Sequence, residues 1–119
     1  MPKGGGILPI AIHNNNIYLL FSREALTPSH SASGQWSDFG GGHEKNETPY
    51  DTAVREGFEE SNGLFKSIDQ VKDLIKTNLI GKIETNNYVC YMVEIPWDAK
   101  IPNVLKKYMM MLYAIHQIW

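Results

Sequence analysis

Apolar and polar residues alternate at period two through Ile10 and Ile12, and again through Ile17, Leu19 and Phe21. That period marks half-buried strands, so Ile7 to Ile12 and Ile17 to Phe21 read as a hairpin turned by His13-Asn14-Asn15-Asn16. Polar residues from Ser22 to Gln35 make a long loop, and Trp36 to Phe39 reads as a short strand feeding Gly40-Gly41-Gly42. The period then becomes helical, with Tyr50, Val54 and Phe58 on one side. Thr48 is suited to cap that helix, Pro49 to begin it and Asn62 or Gly63 to end it, while Asp51 completes a capping-box spacing. Ser67-Ile68-Asp69-Gln70 has the same spacing ahead of a stripe of Val71, Leu74 and Ile75, which predicts a second, short helix. Leu79 to Glu84 and Tyr88 to Ile95 form a hairpin about Asn86-Asn87, and the apolar stretch from Asn103 onward reads as helical. Strands separated by helices indicate an α/β (α+β) domain, a mixed sheet covered on both faces.

The side of the first helix opposite Tyr50, Val54 and Phe58 is acidic. Glu56, Glu59 and Glu60 fall within one sector about 100° wide at ~100° per residue. Like charges three and four residues apart cost roughly 0.2–0.5 kcal/mol per pair, and negative charge in the last turn opposes the helix dipole. Something must offset this, and a hard divalent cation such as Mg²⁺, bound through carboxylates together with substrate phosphates, is the natural candidate. Upstream, the three glycines let a ligand approach the backbone closely.

Composition narrows the partners. A chain of 119 residues, 43% hydrophobic and 20% charged, supports one core, so residues 1–119 read as one domain. A net charge of −2, with no basic cluster longer than Lys106-Lys107, argues against DNA or any long polyanion. The single cysteine, Cys90, excludes an internal disulfide and reads as a buried small side chain, which points to a reducing, cytoplasmic compartment. The first residues lack the apolar core of a signal peptide, and no stretch is apolar enough to span a bilayer. The apolar tail from Val104 to Trp119 would suit a partner surface, and a homodimer is compatible with it.

Gly41, Glu47, Arg55-Glu56 and Glu59-Glu60 stand at the spacing G-x5-E-x7-R-E-U-x-E-E-x-G-U, where U is bulky and apolar. The stretch from Gly41 to Gly63 thus resembles the signature of the Nudix hydrolases, matching every charged position over about a fifth of the chain. Two positions depart: Gly57 replaces the bulky residue, with Phe58 beside it, and Asn62 replaces the glycine, with Gly63 and Leu64 one place late. The resemblance implies a Nudix-type α/β/α sandwich around a mixed β-sheet, the acidic helix lying across the sheet. Domains of this family carry more sheet and a fuller final helix, so this one is expected to be short at its C-terminal end.

For chemistry, the resemblance implies Mg²⁺, with Mn²⁺ able to substitute, held by Glu56, Glu59, Glu60 and the Gly41 carbonyl. Arg55 would orient Glu56, and Glu56 would be ligand or general base, with Glu59 also catalytic; Glu94 and Asp98 are runner-up bases, and Glu47 is a structural group. The implied reaction is hydrolysis of a pyrophosphate linkage in a nucleoside diphosphate joined to another group: a nucleotide, a nucleotide sugar or a dinucleoside polyphosphate. An mRNA cap or a diphosphoinositol polyphosphate is the alternative substrate. Arg23 could meet a phosphate, and Trp36, Phe39, Tyr88, Tyr91 and Trp97 could stack on a base, although aromatics in strands more often belong to the core. The four histidines lack metal-ligand spacing, and His43 alone adjoins the glycine loop. Two other classes remain: a Nudix-like module without catalysis that senses nucleotides or binds a partner, and a calcium-binding protein, against which the lack of a D-x-D-x-D-G loop argues.

Overall fold

Asn14 and Asn15 set the first turn. Both adopt positive φ, 52° and 65°, the mirror-image turn whose twist matches that of flanking strands. β1 (Gly4–His13) therefore folds directly back into β2 (Asn16–Arg23), with His13 opposite Asn16. The computed structural model describes residues 3–23, 36–61, 63–98 and 110–116. The short strand expected at Trp36 to Phe39 is broken at Asp38 into β3 (Trp36–Ser37) and β4 (Phe39–Gly42). The second hairpin forms as β5 (Leu79–Glu84) and β6 (Tyr88–Glu94).

The apolar tail is a correction. Met110–His116 is a strand, β7, paired antiparallel with β2 from Ser22↔Met110 to Asn16↔His116, where a helix was expected. A free strand edge offers a row of unpaired N–H and C=O groups, and satisfying that row outweighs the helix preference of Met and Leu. The rest of the expected helix, 103–109 and 117–119, lies outside the described residues, as does 24–35 of the expected long loop.

The sheet is mixed, ordered β3-β2-β1-β6-β5, with β4 also on β1 and β7 also on β2. β1 is its centre, parallel to β6 over Gly4–Ile10 and antiparallel to both β4 and β2 on its other edge. The Ile95 N–H donates to the Ile10 carbonyl at 2.8 Å, so the even-numbered residues of β1 bond to β6 and the odd-numbered ones to β4 and β2. This parity explains a proline in a central strand. Pro9 is odd-numbered and falls between the end of the β4 register at Ile7 and the start of the β2 register at Ile10, where no N–H is required.

α1 (Pro49–Glu60) starts as expected, with a complete capping box: the Asp51 N–H donates to Thr48 Oγ1 and the Thr48 N–H to Asp51 Oδ2, both at 3.1 Å. It ends at Ser61, whose hydroxyl donates to the Phe58 carbonyl, and Gly63 follows with φ 95°. α2 (Ile68–Asn78) is capped by Ser67, and its Gln70 side chain accepts from the Lys66 N–H. Ile7 and Ala11 of β1, Val93 of β6, Ala53 and Val54 of α1, and Val71 and Ile75 of α2 belong to one core. Among the described residues both helices therefore share the odd-numbered face of β1. The helical layer expected over the other face is not among them, and none of the described helices is long and apolar enough to cross a membrane.

Gly57 departs from the motif because α1 lies close over β1 there: a Cβ would stand 2.6 Å from Ile7 Cδ1, and Ile7 is completely buried. Gly57→Leu is expected to lower stability by about 1–3 kcal/mol through overpacking, despite the better helix former. Ile7→Ala in the same chain should recover part of the loss, as read by urea unfolding of the two variants and the parent. A Gly57→Leu protein as stable as the parent would show that this contact is not close-packed.

Candidate functional site

Arg55 lies at the middle of the acidic face. Its Nε and Nη2 donate in parallel to Glu47 Oε2 and Oε1 at 2.7 and 2.9 Å, the two-pronged geometry that makes arginine–carboxylate pairs strong. Its Nη1 donates to Glu56 Oε1 at 2.7 Å and to Glu59 Oε1 at 3.1 Å, and Nη2 also reaches the Gly42 carbonyl at 3.0 Å. Glu44 is a further neighbour at 3.5 Å. Arg55, Glu47 and Glu56 are largely covered, with side chains 19%, 15% and 14% exposed, while Glu59 is 54% exposed. The charge opposing the carboxylates is thus a guanidinium from the same helix.

Glu47 is held from every side. Besides Arg55 it accepts from the Glu44 N–H at 2.8 Å and the Thr52 hydroxyl at 2.9 Å. Its pKa falls from the ordinary 4.5 to about 2, chiefly through the Arg55 hydrogen bond, and the same bond raises the pKa of Arg55. Thr52 is fully buried, and His43 Nδ1 lies 2.5 Å from its hydroxyl. Thr52 was not anticipated from the sequence. Its signal was helical phase, three and four residues ahead of Arg55 and Glu56.

Gly41 sits against Glu56: a Cβ on it would stand 2.5 Å from the carboxyl carbon. Its carbonyl, however, is not turned to the acidic face. Gly41 pairs with Gly5, an odd-numbered residue of β1, so its N–H and C=O point into that ladder. The carbonyls of Gly40 and Gly42 leave the opposite edge, where Gly42 already meets Arg55. The Gly41 carbonyl is therefore committed to the ladder with β1, because strand parity decides which oxygens a strand turns toward its partner.

The remaining expected residues divide. Glu56 and Glu59 are brought together at Arg55, and Glu60 is half-buried at the end of α1. Phe39 is completely buried in the core beneath α1, so it is no substrate contact. Trp97 stacks on His13 and lies tilted against Tyr18, ring centroids 4.9 and 4.4 Å away, at the far end of β1 from Gly5. Tyr91 meets Tyr50 edge-on. Arg23 and Trp36 face each other in the β2–β3 register, and their side chains lie outside the described residues. Glu94 pairs with Ile10 on the sheet face away from α1, which removes it as a base, and Asp98 lines a cleft of ≈ 200 Å³ between α2 and the end of β6. That cleft includes no residue of the acidic motif. Burial raises the pKa of the Cys90 thiol, which suits a packed side chain rather than a nucleophile.

Among the described residues, no three carboxylate, imidazole or thiolate side chains stand close enough to hold a metal ion as placed. The donor chemistry nevertheless fits Mg²⁺, since Glu56 and Glu59 on one helix face, beside glycine carbonyls, are all hard oxygen donors.

No family model matches the chain. Over 70 residues it is 37% identical to an uncharacterized protein of Acanthamoeba polyphaga mimivirus, a match covering 58% of this chain and only 22% of that protein's length. The Nudix hydrolase RenU from M. smegmatis superposes with a TM-score of 0.58 at 16% identity, over 95% of this chain and 70% of that one. The fold is that of the Nudix hydrolases. The chain also superposes on NrtR of Shewanella oneidensis (TM-score 0.60, 13% identity, 95% of this chain and 52% of that one) and on an Ap4A hydrolase of C. elegans (0.52, 14%, 81% and 67%).

The depressed pKa of Glu47 sets a pH signature. A carboxylate whose folded pKa lies below its unfolded value contributes stability that is full above about pH 4.5 and is lost as pH falls through about 2. Glu47→Gln should therefore be less stable than the parent at pH 6, with the difference shrinking between pH 4.5 and 2. Urea unfolding at intervals across that range measures it. A difference independent of pH would mean that Glu47 acts by shape and not by charge.

Proposed function

We propose that the protein hydrolyses a pyrophosphate linkage in a small nucleotide-type substrate, with Mg²⁺ held on Glu56, Glu59 and Glu60 and a glycine-strand carbonyl. The observation that carries this reading is the arrangement of Glu56 and Glu59 around Arg55, against the glycines of β4, on a Nudix fold. A bound divalent ion supplies polarised phosphoryl oxygens, a more acidic water and neutralisation of the leaving phosphate.

The chain's own residues do the rest. Arg55 and Glu47 hold one another rigidly, which fixes the Nη1 prong and with it Glu56 Oε1. Glu56 Oε2 lies against Gly41, where no side chain intervenes, and is the oxygen that takes the proton of the attacking water. Glu59 is more exposed than Glu47 or Glu56, and its contact with Arg55 is a surface ion pair worth about 0.2–1 kcal/mol, readily exchanged for a cation. Free nucleotides are preferred to capped RNA, because the chain is slightly acidic and has no basic track. A second reading, a Nudix-fold module that binds nucleotide without hydrolysing it, is favoured by the position of Arg55 among the carboxylates.

The two readings separate on Glu59→Gln. The hydrolytic reading expects turnover of a nucleotide panel to require Mg²⁺ or Mn²⁺ and to fall about a hundredfold or more in the variant, since ion-dependent stabilisation of several kcal/mol is lost. In chelator, loss of a like charge and loss of the Arg55 contact oppose each other, so stability should stay within about 0.5 kcal/mol of the parent. Added Mg²⁺ should raise the melting temperature of the parent more than that of the variant. Nucleotide binding without turnover in any divalent ion would favour the binding module. Full turnover in excess chelator would exclude both.

A further inference from the structure

On the sheet face away from α1, the ring of Tyr88 lies across β1. A Cβ on Gly4 would stand 3.2 Å from its Cδ2, and Cβ atoms on Gly6 and Gly40 would collide with its hydroxyl. Gly4 lies under the ring and Gly6 and Gly40 under its hydroxyl, a glycine floor that lets the hydroxyl reach over β1 from β6 to Asp38 Oδ1, at 2.8 Å. The Cys90 thiol bonds the same carboxyl. Burial raises the pKa of Asp38, and these two hydrogen bonds act against that rise. The Asp38 carbonyl in turn accepts from the Ser37 hydroxyl at 3.0 Å and, more loosely, from that of Ser22 at 3.5 Å. Asp38, where the chain breaks between β3 and β4, is thereby tied to both β2 and β6.

The strand that follows has little else to hold it. β4 has four residues, three of them glycines, and among the described residues it pairs with β1 alone. Phe39 is its single packed side chain. A strand so poor in side-chain contacts belongs to the low-stability end of a fold unless it is anchored from outside. Its Gly41 sets the separation from Glu56.

We infer that Tyr88 and Asp38 are positioning residues for the acidic site: their hydrogen bond anchors the start of β4 and so fixes the glycine strand against Glu56. This rests on the hydrolytic reading of α1, but its first readout does not. Tyr88→Phe keeps the ring on its glycine floor and deletes the hydroxyl. In the full chain, amide exchange at Gly41 and His43, whose N–H groups bond to β1 and to Lys3, should quicken about tenfold, the size of one lost hydrogen bond, while Val71 in α2 is unchanged. In the same variant kcat should fall about tenfold with KM unchanged, and in a Glu56→Gln background the substitution should have no further effect on kcat. Asp38→Asn, which keeps an acceptor for the Tyr88 hydroxyl, should behave as the parent, whereas Asp38→Leu should behave as Tyr88→Phe. Unchanged exchange at Gly41 and His43 overturns the anchoring, as does equal acceleration at Val71. A hydrolytically active parent whose kcat is untouched by Tyr88→Phe overturns the positioning role. A parent with no hydrolysis defeats the hydrolytic reading and the positioning role with it, and exchange then decides the anchoring alone.

Discussion

The guanidinium of Arg55 is what the candidate site depends on. Carboxylates on one helix face repel, and at the helix C-terminus they also meet the negative end of the dipole. Arg55 places a delocalised positive charge among Glu56 and Glu59 of that face and Glu47 ahead of it, and spends its donors directionally: two on Glu47, one prong shared by Glu56 and Glu59, and one on the Gly42 carbonyl. Because Glu47 also accepts from Thr52 and from the Glu44 backbone, the same charge ties the loop after β4 to the first turns of α1. A lysine could balance the charge but could not bind Glu47 with two prongs and hold Glu56 in the same plane.

Much of this was legible in the chain. Alternating apolar residues located β1 and β2, the run His13 to Asn16 located the first turn, Asn86-Asn87 located the hairpin of β5 and β6, and the Thr48–Asp51 spacing located the start of α1. These are local facts, carried by residues a few positions apart. What failed was decided at long range. Met110–His116 reads as helical until β2 is seen to offer it an edge. Phe39 and Trp97 look like stacking platforms until the core and the rings of His13 and Tyr18 are found to occupy them. The direction of the Gly41 carbonyl could not be known before its partner, since the parity of a strand belongs to the pair.

The acidic site followed the same division. Spacing placed Glu56 and Glu59 on one face and Arg55 beside them, and the structure brings these three together. Spacing did not give Thr52, whose hydroxyl matters only because Glu47 folds back over the first turn of α1 to meet it. Nor did it explain the glycine at position 57, which answers to Ile7 on a strand fifty residues earlier. With identities of 13–16% to the structures on which it superposes, what this chain shares with them is a frame.

The parallel pairing of β1 with β6 bears on how the molecule comes to be made. Gly4–Ile10 finds its partner in Tyr88–Glu94, so the central ladder joins the beginning of the described chain to residues more than eighty positions later. During synthesis β1 can form its hairpin with β2 early, but one edge of it stays bare until β6 has left the ribosome. α1, emerging in between, meets a sheet that lacks Val93 from its core. Contacts of such wide sequence separation slow folding, because the chain between them must be closed into a loop before the ladder repays its ordering. For that interval the exposed edge of β1 is an opening for wrong partners, and its glycine-rich first half, with few side chains to attract them, is a mild safeguard.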